Sequence, residues 1–190
     1  MSHELAKTTD LFASNMVMGA RPAETACATG HFKAECYDAE GNLKWAAENH
    51  NLVVNVGLQY MAGVALTSTS QSTTWFIGLY GAGASNTPAA TDTLATHIGW
   101  TEITPYAGNR PSAGLAAATN ANPSVVTNSA SPTSFSINAT ATVGGAFLCN
   151  VASGTTGILF SASDFQSPGD RTVASGDTLN VTYTFSLSAS

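Results

Sequence analysis

Charge is what this sequence lacks most. Six basic and twelve acidic residues make up 9% of the 190-residue chain, against roughly 25% in an ordinary globular domain. The net charge is −6, with no run of Lys or Arg anywhere. The electrostatic footprint needed to neutralise a phosphate backbone or an anionic bilayer is therefore missing, which argues against nucleic acid and membrane as partners. Long apolar runs are also missing. The longest, such as residues 61–66, fall far short of the ~20 that a spanning helix needs. The N-terminal Met-Ser-His-Glu has no basic stretch leading into an apolar one, so a soluble product of the cytosol is expected.

Cysteine is sparse and unpatterned. Cys27, Cys36 and Cys149 are odd in number and show no CxxC spacing, and a reducing compartment keeps such thiols free. Cys27, His31, Cys36 and His50 carry the right donors for a tetrahedral zinc. If residues 31–37 form a strand, however, His31 and Cys36 point to opposite faces, so no metal and no other cofactor is expected. Catalytic constellations are equally thin. His97 lies between Asp92 and Glu102, but no G-x-S-x-G elbow accompanies it. Asp164 and Asp170 flank a loop without a spacing that would make them a glycosidase pair. The Gly-rich residues 78–83 lack the G-K-[ST] of a phosphate loop. A non-enzymatic role follows. Trp45, Trp75 and Trp100 could stack on sugar rings, but Trp45 and Trp75 fall in the apolar registers of their strands, leaving Trp100 as the candidate ligand contact.

What the sequence has is small side chains in alternating order. Ala, Gly, Ser and Thr supply about half of it, and the length suits one domain without a disulfide or metal staple. From Gly30 onward Phe32, Ala34 and Cys36 alternate with His31, Lys33, Glu35 and Tyr37, which predicts a strand. Residues 38–42, Asp-Ala-Glu-Gly-Asn, supply turn chemistry, and Leu43, Trp45 and Ala47 continue as the second arm of a hairpin. Val54, Leu58, Met61 and Ala65 recur at helical spacing behind Asn55 as N-cap, predicting one short helix over about residues 55–66. Residues 75–80 form a continuous apolar run, as in a strand covered on both faces. Residues 93–97 suggest one helical turn before a short strand at 100–103.

Residues 134–143 and 178–187 alternate without error, with Phe135, Ile137, Ala139, Ala141 and Val143 on one apolar face and Leu179, Val181, Tyr183, Phe185 and Leu187 on the other. Each predicts an antiparallel strand with one face in a shared core. Residues 145–148 and 157–161 add further strands, for a total of about eight with no βαβ alternation. The fold expected is all-β, a jelly-roll-like β-sandwich over residues 30–190. Residues 1–29 differ, with scattered apolar residues, a possible short helix at 10–18 capped by Asp10, and Arg21-Pro22 as a break. They are expected to form an N-terminal arm whose Leu11, Phe12, Met16, Val17 and Met18 meet a partner.

A series of segments carries a resemblance: NLVVNVGLQYM at 51–61, TWFIGL at 74–79, HIGWTE at 97–102, RPS at 110–112, FSINATATVGGAFL at 135–148 and SGDTLNV at 175–181. Over residues 30–187 the chain resembles a group of small tailed-bacteriophage virion proteins, some of which are similar to capsid cement, or decoration, proteins. The resemblance implies a jelly-roll domain on the outer surface of the head, bridging major capsid protein subunits, with neighbouring copies of itself as further partners in a dimer or trimer. It carries no catalytic residues across. A receptor-binding or fibre module would use the same sandwich, with loops 81–92 and 107–123 gripping a cell-surface glycan; a hydrolase acting on the host envelope would need an acid or nucleophile set that is missing.

Overall fold

The computed structural model describes residues 25–82, 87–166 and 169–189. Two antiparallel sheets enclose one core. The first joins β1 (Ala26–Tyr37), β2 (Leu43–His50), β6 (Ser124–Thr127), β7 (Thr133–Ser136) and β11 (Thr178–Ala189) in the order β2-β1-β11-β6, with β7 also on β11. The second runs β3 (Leu52–Val53), β9 (Leu159–Asp164), β8 (Ala141–Cys149), β4 (Phe76–Gly81), β5 (Glu102–Ile103), with β10 (Arg171–Val173) on β8. The single helix α1 spans Asn55–Leu66. The all-β sandwich is as expected. Eleven strands are present among the described residues where about eight were expected, because β3, β6 and β10, two to four residues long, are too short to show a period.

The alternation of β1 and β11 reads directly into structure. Phe32, Ala34 and Cys36 face Tyr183, Val181 and Leu179 across the ladder, and all six are buried. The hairpin turn closes on Asp38, whose carboxylate accepts the Glu40 and Asn42 amides, while Gly41 supplies the positive φ of 86°. Asp38 is held below the usual carboxylate range by those Asn42 bonds. One boundary moves: residues 26–29, assigned to the arm, are strand paired with residues 186–189. Their inner positions are Ala26, Ala28 and then Gly30, too small to reveal the period.

Residues 134–143 are not one strand. β7 pairs with β11, residues 138–140 are exposed, and the chain then crosses to the other sheet as β8. The Asn138 amide leaves the ladder to donate to the Pro105 carbonyl. The alternation runs unbroken through this crossing because both sheets look into the same core, so inward parity is kept on either side. Ala139 is the exception and lies exposed.

The helix also differs from its expected packing. Val54 is the N-cap, without a side-chain cap, and Asn55 is the first helical residue. Gly57 is the one helix residue that is buried, and a Cβ there would overlap the Phe160 carbonyl. The residue that costs most in helix propensity is thus the one that lets the helix backbone approach β9. Leu58, expected to face the core, is 43% exposed.

The second sheet is buried on both faces. Ile77, Leu79, Ala146 and Leu148 point into the inter-sheet core; Tyr80, Phe147, Leu159 and Ala162 form a second cluster on the outside with Leu94 and Trp100. The covering piece is the loop that was expected to contain a helical turn at 93–97. It is a tight turn instead, in which Thr93 and Thr96 exchange backbone bonds and Leu94 inserts as a plug.

Candidate functional site

The polar residues that spacing singled out are engaged in holding this outer layer. Trp100 is 3% exposed. Its indole N–H donates to Asp92 Oδ2 at 2.9 Å, and that same oxygen accepts the Ala89 amide. His97 stacks flat on Trp100 with centroids 3.7 Å apart, and its Nδ1 lies 2.8 Å from the Trp100 carbonyl. Trp100 therefore presents no face to a ligand, which corrects its candidacy as a contact. Glu102 points elsewhere, taking both Nε and Nη2 of Arg110 at 2.7 and 2.6 Å. Arg110 also donates to the Val151 and Gly154 carbonyls and lies 5.3 Å from the Phe147 ring centroid. Asp92 and His97 thus both serve Trp100 while Glu102 is held by Arg110, so the three do not converge on one site.

The remaining candidates divide similarly. Cys36 faces the core, where burial pushes its thiol up to about 11, and it donates to Asp177. His31 sits on the opposite face of β1, against His50 and Glu48. Burial resists ionisation of Asp177, yet the Lys44 ammonium at 2.6 Å and the Ala174 amide outweigh it and keep the carboxyl below its ordinary value. Trp45 donates to the Thr172 carbonyl. Asp164 is held above the ordinary carboxyl range by burial and by Asp170. Tyr106, beside loop 107–123, is buried against Phe135, and burial lifts its phenol to about 12. The arm residues Leu11, Phe12, Met16, Val17 and Met18 lie outside the described residues.

Among the described residues, two concave surfaces exceed the small pockets beside Arg110 and Tyr106. The first is an apolar groove of about 310 Å³ between α1 and the sandwich. Tyr60, Trp75, Phe160 and Phe185 make a connected aromatic floor, each ring 5.4 to 5.5 Å from the next, and Met61 and Val64 of α1 form a wall. No charged side chain lines it. The second is a polar cleft of about 440 Å³ beside Glu48, His50, Asp164 and Gln166.

No family model, curated protein or solved structure matches this chain. What the site can do must therefore be taken from its own chemistry. The groove offers dispersion contacts and apolar burial with no charged side chain in its lining, chemistry that suits an apolar ligand surface. Sequence reasoning missed it because its floor comes from α1, the residue before β4, β9 and β11, which meet only through topology. One signal was present: the apolar period of β11 runs on through Phe185 and Leu187, where the β1 partners Gly30 and Ala28 are too small to cover them.

Proposed function

We propose that this chain is a structural protein of a tailed-bacteriophage virion, a decoration or cement protein that binds the outer surface of the head and bridges major capsid protein subunits. The observation that carries the structural role is the apolar groove with its exposed surroundings. An unpaired apolar surface on a two-layer sandwich marks a protein contact, whereas Asp92, His97, Glu102 and Asp177 are committed to internal bonds. The assignment to a phage head rests on the segment resemblance at 51–61, 74–79, 97–102 and 135–148. Wide, weakly charged loops of Ala, Ser, Thr and Gly support it, since such surfaces lose little side-chain entropy when covered.

The test is cryo-electron microscopy of the intact virion together with co-sedimentation of the purified chain with heads that lack it. Density on the outer head surface and saturable binding to heads are the expected results; density on the tail, or no binding to heads, refutes the assignment. The polar cleft beside Glu48 and Asp164 favours a second reading, a tail or fibre component that holds a glycan. Saturable binding of neutral oligosaccharides, weakened by Asp164→Ala, would support that reading instead.

A further inference from the structure

The groove lies toward the end of the first sheet at which β1 and β11 run on past β2, with Tyr183 and Phe185 of β11 in its lining. Register places Gly30 opposite Phe185, and His31 opposite His50, so residues 26–29 and 186–189 project past the end of β2. Leu187, two residues beyond Phe185 on the same face of β11, is 43% exposed. The chain enters β1 at the tip of this projection, ~13 Å beyond the floor of the groove at 3.3 Å per strand residue. Residues 11–18 are Leu-Phe-Ala-Ser-Asn-Met-Val-Met, five large apolar side chains and no charge. They match a groove that also has none. The seven residues from 19 to 25 can span at most ~25 Å.

We propose that this groove is the seat for residues 11–18 of a second copy of the chain. Because β1 receives the chain at the tip and along the strand axis, return to its own groove requires a reversal within the short link. A neighbour placed projection to projection takes the segment without one. In a two-fold pair the exchange is reciprocal and fills both grooves. The inference deepens the proposed structural role by naming one partner of that surface, and it rests on that reading only for its setting on the virion.

The test uses the full chain in solution. Sedimentation equilibrium over a range of concentrations is compared for the wild type, a groove variant Val64→Asp, and a segment variant carrying Phe12→Ser, Met16→Ser and Met18→Ser. The wild type should self-associate, and each variant should weaken association by about tenfold or more. Mixing the two variants should restore a pair, since one supplies an intact segment and the other an intact groove. If Val64→Asp fails to fold, the segment variant carries the test, because it changes no residue of the sandwich. A wild type that stays monomeric, variants that associate as tightly as the wild type, or a mixture that forms no pair would each overturn the proposal. Shielding of Trp75 from acrylamide in a monomer, lost in the segment variant, would mean that the chain occupies its own groove and would also overturn it. None of these readings involves heads, so a failed head-binding assay leaves the result intact.

Discussion

Two glycines in the second sheet are each roofed by an aromatic ring from the strand opposite, and a single methyl group tests that packing. Register sets Gly78 against Phe147 and Gly145 against Tyr80. A Cβ built at Gly78 overlaps the Phe147 ring; at Gly145 it overlaps both the Tyr80 ring and the Ser163 carbonyl. Neither ring has room to retreat, since Trp100 stands 5.1 Å from each and Arg110 lies 5.3 Å from Phe147. Replacing a strand glycine by Ala normally gains ~0.5 to 1 kcal/mol from the unfolded chain, while overpacking a core costs ~1 to 3 kcal/mol. Gly78→Ala should therefore lose about 1 to 2 kcal/mol. Gly145→Ala should lose about 3 kcal/mol or more, because a backbone carbonyl cannot rotate aside as a side chain can. Phe147→Leu should relieve the first substitution and give a coupling energy in a double-mutant cycle; Tyr80→Phe should not rescue the second. Tyr80→Phe alone should be neutral or stabilising, as the Tyr80 hydroxyl is buried without a partner. Urea unfolding with constant m values measures all of these. Gly145→Ala within ~0.5 kcal/mol of the wild type, or less damaging than Gly78→Ala, would refute the reasoning.

Phe135 is 1% exposed in the inter-sheet core while Phe185 is only partly buried, so Phe135→Ala should cost ~3 to 5 kcal/mol and Phe185→Ala about half as much in the same melts. Asp177 has a lowered pKa in the folded chain, so its contribution is full above the unfolded carboxyl value near ~3.9 and is lost as pH falls through the folded value. Asp177→Asn should then lower the melting temperature at pH 7 and approach the wild type in strong acid. Asp164 is raised, which reverses the sign: Asp164→Asn should stabilise at neutral pH, and the gain should vanish below ~3.9. Arg110→Lys keeps the charge but loses the fork that holds Glu102 and two carbonyls, and should cost ~1 to 3 kcal/mol. Calorimetry that finds Arg110→Lys within ~1 kcal/mol of the wild type would show the network to be dispensable.

The first sheet was legible because one of its faces is wet. In β1 and β11 small polar residues alternate with Phe32, Ala34, Val181 and Tyr183, and the period alone reports the register of the core. The second sheet was legible only as apolar. Residues 75–80 and 145–149 are covered on both sides, so their sequence shows that they are buried without showing which layer covers which face. The cover itself, Leu94 and Trp100 on an irregular loop, has no period to read. Local spacing also misled in its grouping of Asp92, His97 and Glu102. Burying Trp100 requires a partner for its indole N–H, and roofing Phe147 with Arg110 requires a counter-charge, so these polar residues are distributed by the needs of the aromatic layer. The crossing at 138–140 was invisible for a related reason, since inward parity is preserved when a chain passes between two sheets that share a core.

The scarcity of charge bears on function through where the charge is used. Lys33, Lys44, Arg110 and Arg171 are the Lys and Arg residues among the described ones, and the first three sit within 2.9 Å of Glu35, Asp177 and Glu102. A cation neutralised at that distance projects little field into solvent, so long-range steering of an anionic partner is weak on the described surface. On the proposed reading, recognition through the groove rests on shape and apolar burial, which act only at contact and are insensitive to salt. Attachment of this chain to a partner should accordingly persist at high ionic strength, and co-sedimentation with heads at low and at ~1 M salt separates the two cases. Binding that falls steeply with salt would place the contact on charged groups and would count against the groove as the adhesive surface.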